Sequence, residues 1–373
     1  MSNWPRRSSG RRRKRSPSLP KDGSHLALRI GVLTGGGDAP GLNAAIRAVV
    51  LRATALGHDV LGIADGWAGL LGEAEPRPLG VRDANRILSE GGTILGTSRT
   101  DPRKDESSRR AVLDSIRRWR IDALVAIGGN DTLGVAQWLH EQRIRVIGVP
   151  KTVDNDLSET DYCIGFDTAV TVVADALDRL RTTASAHHRV VVVEAMGRDT
   201  GWVAAYGGLA GGADLIIVPE IQVTSEQVVR TMKRHRAIGD PDILVVVSEA
   251  AVIDGLEAET AVDRDAFGHI RLDQRAIGAV LARHIEQRTG IEARQVVLGH
   301  LQRGGSPTAV DRLRATRFGN AAADLVDAGR SGVLPVLRGG RIEVATMTDA
   351  VREVRRLSDD IIELVRRFAG VVD

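Results

Sequence analysis

At 373 residues and 40.0 kDa the chain exceeds what one ordinary hydrophobic core supports, so two lobes are the natural expectation. No apolar run approaches the roughly 18 residues of a membrane span, and nothing near the N-terminus pairs an apolar stretch with a cleavage site, so a cytoplasmic protein is expected. The single cysteine, Cys163, excludes an intramolecular disulfide and has no partners at zinc-ligand spacing; it reads as an ordinary small residue in a reducing compartment.

The formal charge of +3 is unevenly placed. Residues 1–25 hold eight Lys/Arg against one Asp, which leaves the rest of the chain at about −4. This Arg-, Ser- and Pro-rich stretch lacks apolar periodicity and is predicted to be a disordered tail, either dispensable or a binder of RNA or a partner. The body carries no basic or aromatic surface motif, and with aromatics at 3% stacking platforms are scarce, so no nucleic acid is expected there.

From Arg29 the pattern turns to strand (Ile30 to Leu33), glycine loop (Gly35 to Gly41) and helix (Leu42 to Leu56), the opening unit of a parallel sheet. Further buried-strand candidates are Ala123 to Ile127, Val146 to Val149, Val190 to Val193, Leu215 to Val218, Leu244 to Val247 and Val296 to Leu298. Helical patterns separate most of them, which argues for doubly wound α/β layers. Nearly every strand runs into glycines or polar residues, and open parallel sheets bind ligands beyond the carboxyl ends of their strands.

Several of those loops have the composition of anion sites. Gly35-Gly36-Gly37-Asp38-Ala39-Pro40-Gly41 follows a strand and opens a helix, so its amides can face an anion, although a tight turn explains the glycines equally well. Ile127-Gly128-Gly129-Asn130-Asp131-Thr132 repeats the arrangement. Gly91-Gly92-Thr93 and Gly96-Thr97-Ser98-Arg99 add a backbone-exposed turn with a cation. Several glycine loops plus an arginine fit a polyphosphate better than a single phosphate. After the strand ending at Val149 comes Pro150-Lys151-Thr152-Val153-Asp154-Asn155-Asp156, whose i, i+2 aspartates point one way if the segment is extended. One carboxylate can then take a proton while the other orients it or a Mg²⁺ ion; the bland alternative is a solvated turn.

The whole series resembles the phosphofructokinase family. GVLTGGGDAPGLNAAIR, GGTILGTSR, IGGNDTLG, PKTVDNDL, GFDTA, VVEAMGRDTGW, ADLIIVPE and LGHLQRGGSPTAVDR occur in the family's order over residues 29 to 312. The resemblance implies two similar doubly wound α/β lobes with mostly parallel sheets and an active site in the cleft between them. It places a phosphoryl-donor lobe at 26–165 plus about 302–350 and a sugar-phosphate lobe at 166–301 plus about 351–373. Homodimers or homotetramers with shared active sites are implied as well.

By the same resemblance, the reaction is Mg²⁺-dependent phosphorylation of the 1-hydroxyl of fructose 6-phosphate. Asp154 is the base, with Thr152 and Asp156 beside it. Arg99 and Arg198 lie against the phosphoryl group in transit, and Gly36, Gly37 and Gly129 border the donor. His300 and Arg303 hold the 6-phosphate together with Arg189 and Arg294 of an adjacent subunit, while Met196, Gly197 and Glu249 contact the sugar. Arginine outnumbers lysine 46 to 5, so any single arginine carries little weight outside its motif.

The donor turns on two positions. Nucleotide users resemble GGDGS or GGDGT in the second glycine loop and often carry PGTID, whereas pyrophosphate users have an acidic residue in the former and PKTID in the latter. This chain has Asp131 and Lys151. A carboxylate at Asp131 meets the α-phosphate of ATP with like charge and bulk, so pyrophosphate is the expected donor. Asn130 departs from the family, which usually has a metal-holding Asp there; this leaves more of the Mg²⁺ to Asp156. Arg47 has no lysine-rich companion loop, so control by phosphate effectors is expected to be weak or absent. Rival readings are an ATP-dependent enzyme of the same family and a non-catalytic sugar-phosphate-binding regulatory subunit, which would be expected to lose Asp154 and Asp156.

Overall fold

A computed structural model describes residues 26–371 apart from 73–74, 240–241, 257–266 and 268–274. The basic stretch 1–25 lies outside the described residues, as does part of the loop before Leu244. In chain order the strands are β1 (Arg29–Thr34), β2 (Asp59–Gly62), β3 (Arg77–Leu79), β4 (Ala123–Gly128), β5 (Val146–Pro150), β6 (Val190–Ala195), β7 (Leu215–Ile217), β8 (Val223–Thr224), β9 (Ile243–Ser248), β10 (Ile253–Asp254), β11 (Ala293–Val297), β12 (Val333–Arg338) and β13 (Arg341–Thr346).

Two larger sheets organise the chain. The first has seven strands in the order β13-β12-β5-β4-β1-β2-β3, parallel from β12 to β2, with antiparallel strands β13 and β3 at its edges. The second has four parallel strands in the order β11-β6-β9-β7, and β8 and β10 form a short separate ribbon. The fold is thus α/β with mostly parallel sheets. Two-sided burial explains the unbroken apolar runs: all six residues of β4, β6 and β9 are buried.

Alternation assigns the faces. Ile30 and Val32 of β1 pack with Leu42, Ile46 and Val49 of the helix Leu42–Ala55 and with Phe318 and Ala322 of the helix Ala309–Asp327. Leu33, Leu124 and Ala126 face Ile116, Leu133 and Leu139 on the other side. In the second sheet Val191 and Val193 meet Phe166, Leu177 and Trp202, while Val190 and Val192 meet Val228, Met232, Leu281 and Ile285. Each sheet is therefore covered on both faces, and its chemistry is confined to strand ends.

Candidate active site

The first lobe contributes three loops from the carboxyl ends of β1, β4 and β5. Gly35 N–H donates to the carbonyl of Ile127 at 3.0 Å and Gly36 N–H to Ser98 at 3.0 Å, while Thr97 Oγ1 donates to Gly36 at 2.6 Å. These bonds set the Gly96–Arg99 loop against the first glycine loop, bringing Arg99 and Gly36 into one neighbourhood. Lys151 is buried, and its Nζ donates to the carbonyls of Gly35 (2.9 Å) and Gly37 (2.5 Å). The ammonium is thus tethered, and it shapes the glycine loop while standing beneath it. Burial, helped by the Arg303 cation, pushes its pKa down to about 7.

Of the two arrangements open to the paired aspartates, an extended segment or a turn, the structure has the turn. Asn155 between them has φ 51°, a left-handed conformation that Asn tolerates better than most residues. Both ends of its side chain are used, Nδ2 donating to the carbonyl of Asp161 (3.1 Å) and Oδ1 accepting from Cys163 N–H (2.8 Å). A tight turn, not a strand, therefore presents Asp154 and Asp156, both buried. Thr152 Oγ1 accepts from Asp154 N–H (3.1 Å) and lies 3.4 Å from Asp154 Oδ2. Asp154 Oδ1 is buried without a protein partner, a costly arrangement that a bound group would relieve. Burial and the neighbouring Asp154 push the pKa of Asp156 up to about 6, and Asn130 Nδ2 donates to its Oδ2 at 3.1 Å. Buried Cys163 serves this turn only as a packed residue with a backbone donor, and burial pushes its thiol pKa up.

Gly129 precedes the helix Asn130–Glu141 and lies beside Thr152, where an added Cβ would stand 3.6 Å from the Thr152 Cβ. Asp131, in that helix's first turn, meets Arg198 of the second lobe, with Asp131 Oδ2 3.3 Å from Nη2. Arg198 follows Met196 and Gly197 at the carboxyl end of β6 and has φ 51°. Glu249, at the end of β9, accepts from the N–H groups of Gly197 (3.2 Å) and Arg198 (3.0 Å), fixing this turn. Burial pushes the Glu249 pKa up to about 7. Thr200 Oγ1 lies 3.4 Å from the Asp154 carbonyl, a further link between lobes that the motifs did not single out.

His300 and Arg303 lie on the short turn Gly299–Arg303 after β11. Arg303 reaches the first lobe, donating from Nη1 to the carbonyl of Asp38 at 3.1 Å, and a Cβ on Gly37 would stand 2.6 Å from that nitrogen. His300 is exposed. Arg189 and Arg294 are not brought to this cluster. They stand at the starts of β6 and β11, near Glu292, whereas the site residues occupy the far ends of those strands, roughly 15–20 Å away at about 3.3 Å per residue.

The phosphofructokinase family model matches residues 29–326. The chain belongs to the phosphofructokinase family. Among relatives, the pyrophosphate–fructose 6-phosphate 1-phosphotransferase of Amycolatopsis methanolica is 48% identical over 92% of this chain and all of its own length. The ATP-dependent 6-phosphofructokinase of Corynebacterium efficiens is 42% identical over 89% of this chain and 96% of its own. Among solved structures, the phosphofructokinase of Saccharomyces cerevisiae superposes with a TM-score of 0.76 at 29% identity, over 87% of this chain and 45% of that longer one. Phosphofructokinase relatives named for either donor thus match nearly the whole chain.

Proposed function

We propose that this phosphofructokinase transfers a phosphoryl group from pyrophosphate to the 1-hydroxyl of fructose 6-phosphate. The observation that carries the reaction type is the buried, unpartnered Oδ1 of Asp154 among the phosphate-type loops. A carboxylate whose neighbours leave one oxygen open is suited to accept the hydroxyl proton as the P–O bond forms. Arg198, with Arg99 across the loop, offsets charge on the transferring group. Arg303 and His300 receive the 6-phosphate, and Gly197, Met196 and Glu249 line the sugar. Diphosphate, the other product of donor cleavage being orthophosphate, rests against Gly36, Gly37 and Gly129, above the Lys151 ammonium.

Pyrophosphate is favoured over ATP by Asp131, whose carboxylate stands at the helix start where a longer donor would extend, and by the likeness to relatives named for pyrophosphate. The carboxylate of Asp156 fits Mg²⁺, which takes one or two carboxylates and keeps water and substrate phosphates as its other ligands. Bound there, Mg²⁺ would neutralise diphosphate charge. Asp156 would hold it, with Asn130 orienting that carboxylate.

Residues 26–165 with about 302–350 would form the donor lobe, and 166–301 with about 351–373 the sugar-phosphate lobe. Placement of Arg189 and Arg294 at the opposite end of the second sheet supports their serving a neighbouring subunit in a homodimer or homotetramer. Among the described residues no helix is long and apolar enough to cross a membrane, and a cytoplasmic enzyme fits the reaction. The test is a coupled assay with fructose 6-phosphate and Mg²⁺ comparing pyrophosphate with ATP. Faster turnover with ATP would overturn the donor, and no turnover with either would overturn the reaction.

A further inference from the structure

We infer that Arg355, some 200 residues from the paired aspartates in sequence, is the positioning residue that holds their turn in its working shape. The inference rests on the proposed role of Asp154 as base. The backbone N–H of Arg355 donates to the carbonyl of Asp156 at 2.8 Å. Its guanidinium Nη1 donates to the carbonyl of Asp161 at 2.9 Å and lies 3.5 Å from that of Asn155. One residue therefore holds the carbonyls of Asn155 and Asp156 in the turn and that of Asp161 in the loop that follows it. Asn155 is held left-handed, and the carbonyls of such a turn have no sheet ladder to satisfy them.

The grip is itself anchored in the second lobe. The Arg355 guanidinium carbon stacks 4.2 Å from the centre of the Trp202 ring, and Trp202 Nε1 donates to the Arg355 carbonyl at 2.9 Å. Two residues on, Leu357 N–H lies 3.3 Å from Glu220 Oε1, the oxygen that also accepts from Gly201 N–H at 3.1 Å. On the other side, Ser158 Oγ donates to the Glu353 carbonyl at 2.7 Å and Leu157 bridges Val354. The segment 353–357 is thus a strap laid between the catalytic turn and the Gly201–Trp202 corner. Because Thr200 and Arg198 precede that corner, the strap also sets the aspartates relative to Arg198. A lysine ammonium has no planar face to lie on Trp202 while it donates to the two carbonyls.

Arg355→Ala and Arg355→Lys are tested in the full-length enzyme with its better donor, with wild type and Asp154→Asn in parallel. Both Arg355 variants are expected to lose about 10- to 100-fold in kcat with KM for both substrates within about threefold, because geometry at the reacting atoms, not binding, is lost. Millimolar guanidinium is expected to restore part of the kcat of Arg355→Ala and none of that of Asp154→Asn. Wild-type kcat in either variant would overturn the inference. So would a loss of kcat that guanidinium does not restore and that tracks lowered thermal stability, since Arg355 would then be a stabilising residue only. If Arg355→Ala fails to fold, the kcat–KM split in Arg355→Lys decides. An inactive wild type would instead indict the reaction assigned to the site.

Discussion

Arg198 Nη2 stands 3.3 Å from Asp131 Oδ2, so a cation at the end of β6 is paired across the cleft with the first turn of the helix after β4. The carboxylate proposed to oppose a nucleotide's α-phosphate would therefore also aim the arginine at the donor. Asp131→Gly removes both effects: ATP-driven turnover is expected to rise relative to pyrophosphate-driven turnover by at least about tenfold, while the pyrophosphate rate itself falls. Asp131→Asn keeps the bulk and removes the charge, so a coupled assay of the two variants separates repulsion from clash. An unchanged donor ratio in both would show that Asp131 is not the filter.

Lys151→Met should cost pyrophosphate turnover on the order of 10²- to 10³-fold, as for a lost electrostatic donor, and should also loosen Gly35 and Gly37. With its pKa pushed down to about 7, the free enzyme holds the ammonium below neutrality and loses its proton as pH rises. The kcat/KM for pyrophosphate is accordingly expected to decline above about pH 7 in wild type. A pH–rate profile in which the Met variant keeps that same limb would assign it to another group.

Asp154→Asn removes the base while keeping the turn, so kcat should fall at least about 10²-fold with little change in acceptor KM. Undiminished turnover would exclude the base role.

Gly37→Ala is expected to mimic Arg303→Ala. The new Cβ would stand 2.6 Å from Arg303 Nη1, forcing the guanidinium away from the Asp38 carbonyl. Both variants should mainly raise the fructose 6-phosphate KM, and steady-state kinetics showing a normal acceptor KM in Arg303→Ala would contradict its placement on the 6-phosphate.

Glu249 binds its proton more tightly in the folded chain than in the unfolded one, since burial raises its pKa to about 7 from an ordinary 4.5. Its contribution to stability is therefore fully present below about pH 4.5 and is lost as pH rises through 7. Glu249→Gln removes this titration while keeping an oxygen for the Gly197 and Arg198 amides, so thermal unfolding should show a smaller loss of stability from pH 5 to 8 than in wild type. Identical pH slopes would refute it.

What the sequence disclosed followed from burial. β4, β6 and β9 are buried on both faces and read as unbroken apolar runs, so their positions and parallel direction were legible. β13, mostly exposed, and the three-residue β3 gave no such signal. β11 was expected at 296–298 but spans Ala293–Val297, because its exposed Arg294 and Gln295 look like loop. Within the site, residue types were legible from the motifs, but two conformations were not. Residue types alone do not choose the left-handed Asn155 turn over an extended segment, nor do they show the buried tether of Lys151 to Gly35 and Gly37. Arg355 could not be found among 46 arginines, since only the fold brings it to Asp156.

The order of strands in the first sheet also has a consequence during synthesis. β5 ends at Pro150, and its neighbour β12 begins at Val333, so 182 residues, 151–332, must leave the ribosome before that edge is closed. At about 5–20 residues per second this is a delay of roughly 10 to 35 s, during which the apolar β5 edge is open to pairing with other chains. The nascent N-terminal half thus waits on the C-terminal quarter of its own polypeptide, and a chain terminated before Val333 would leave the same edge exposed for good.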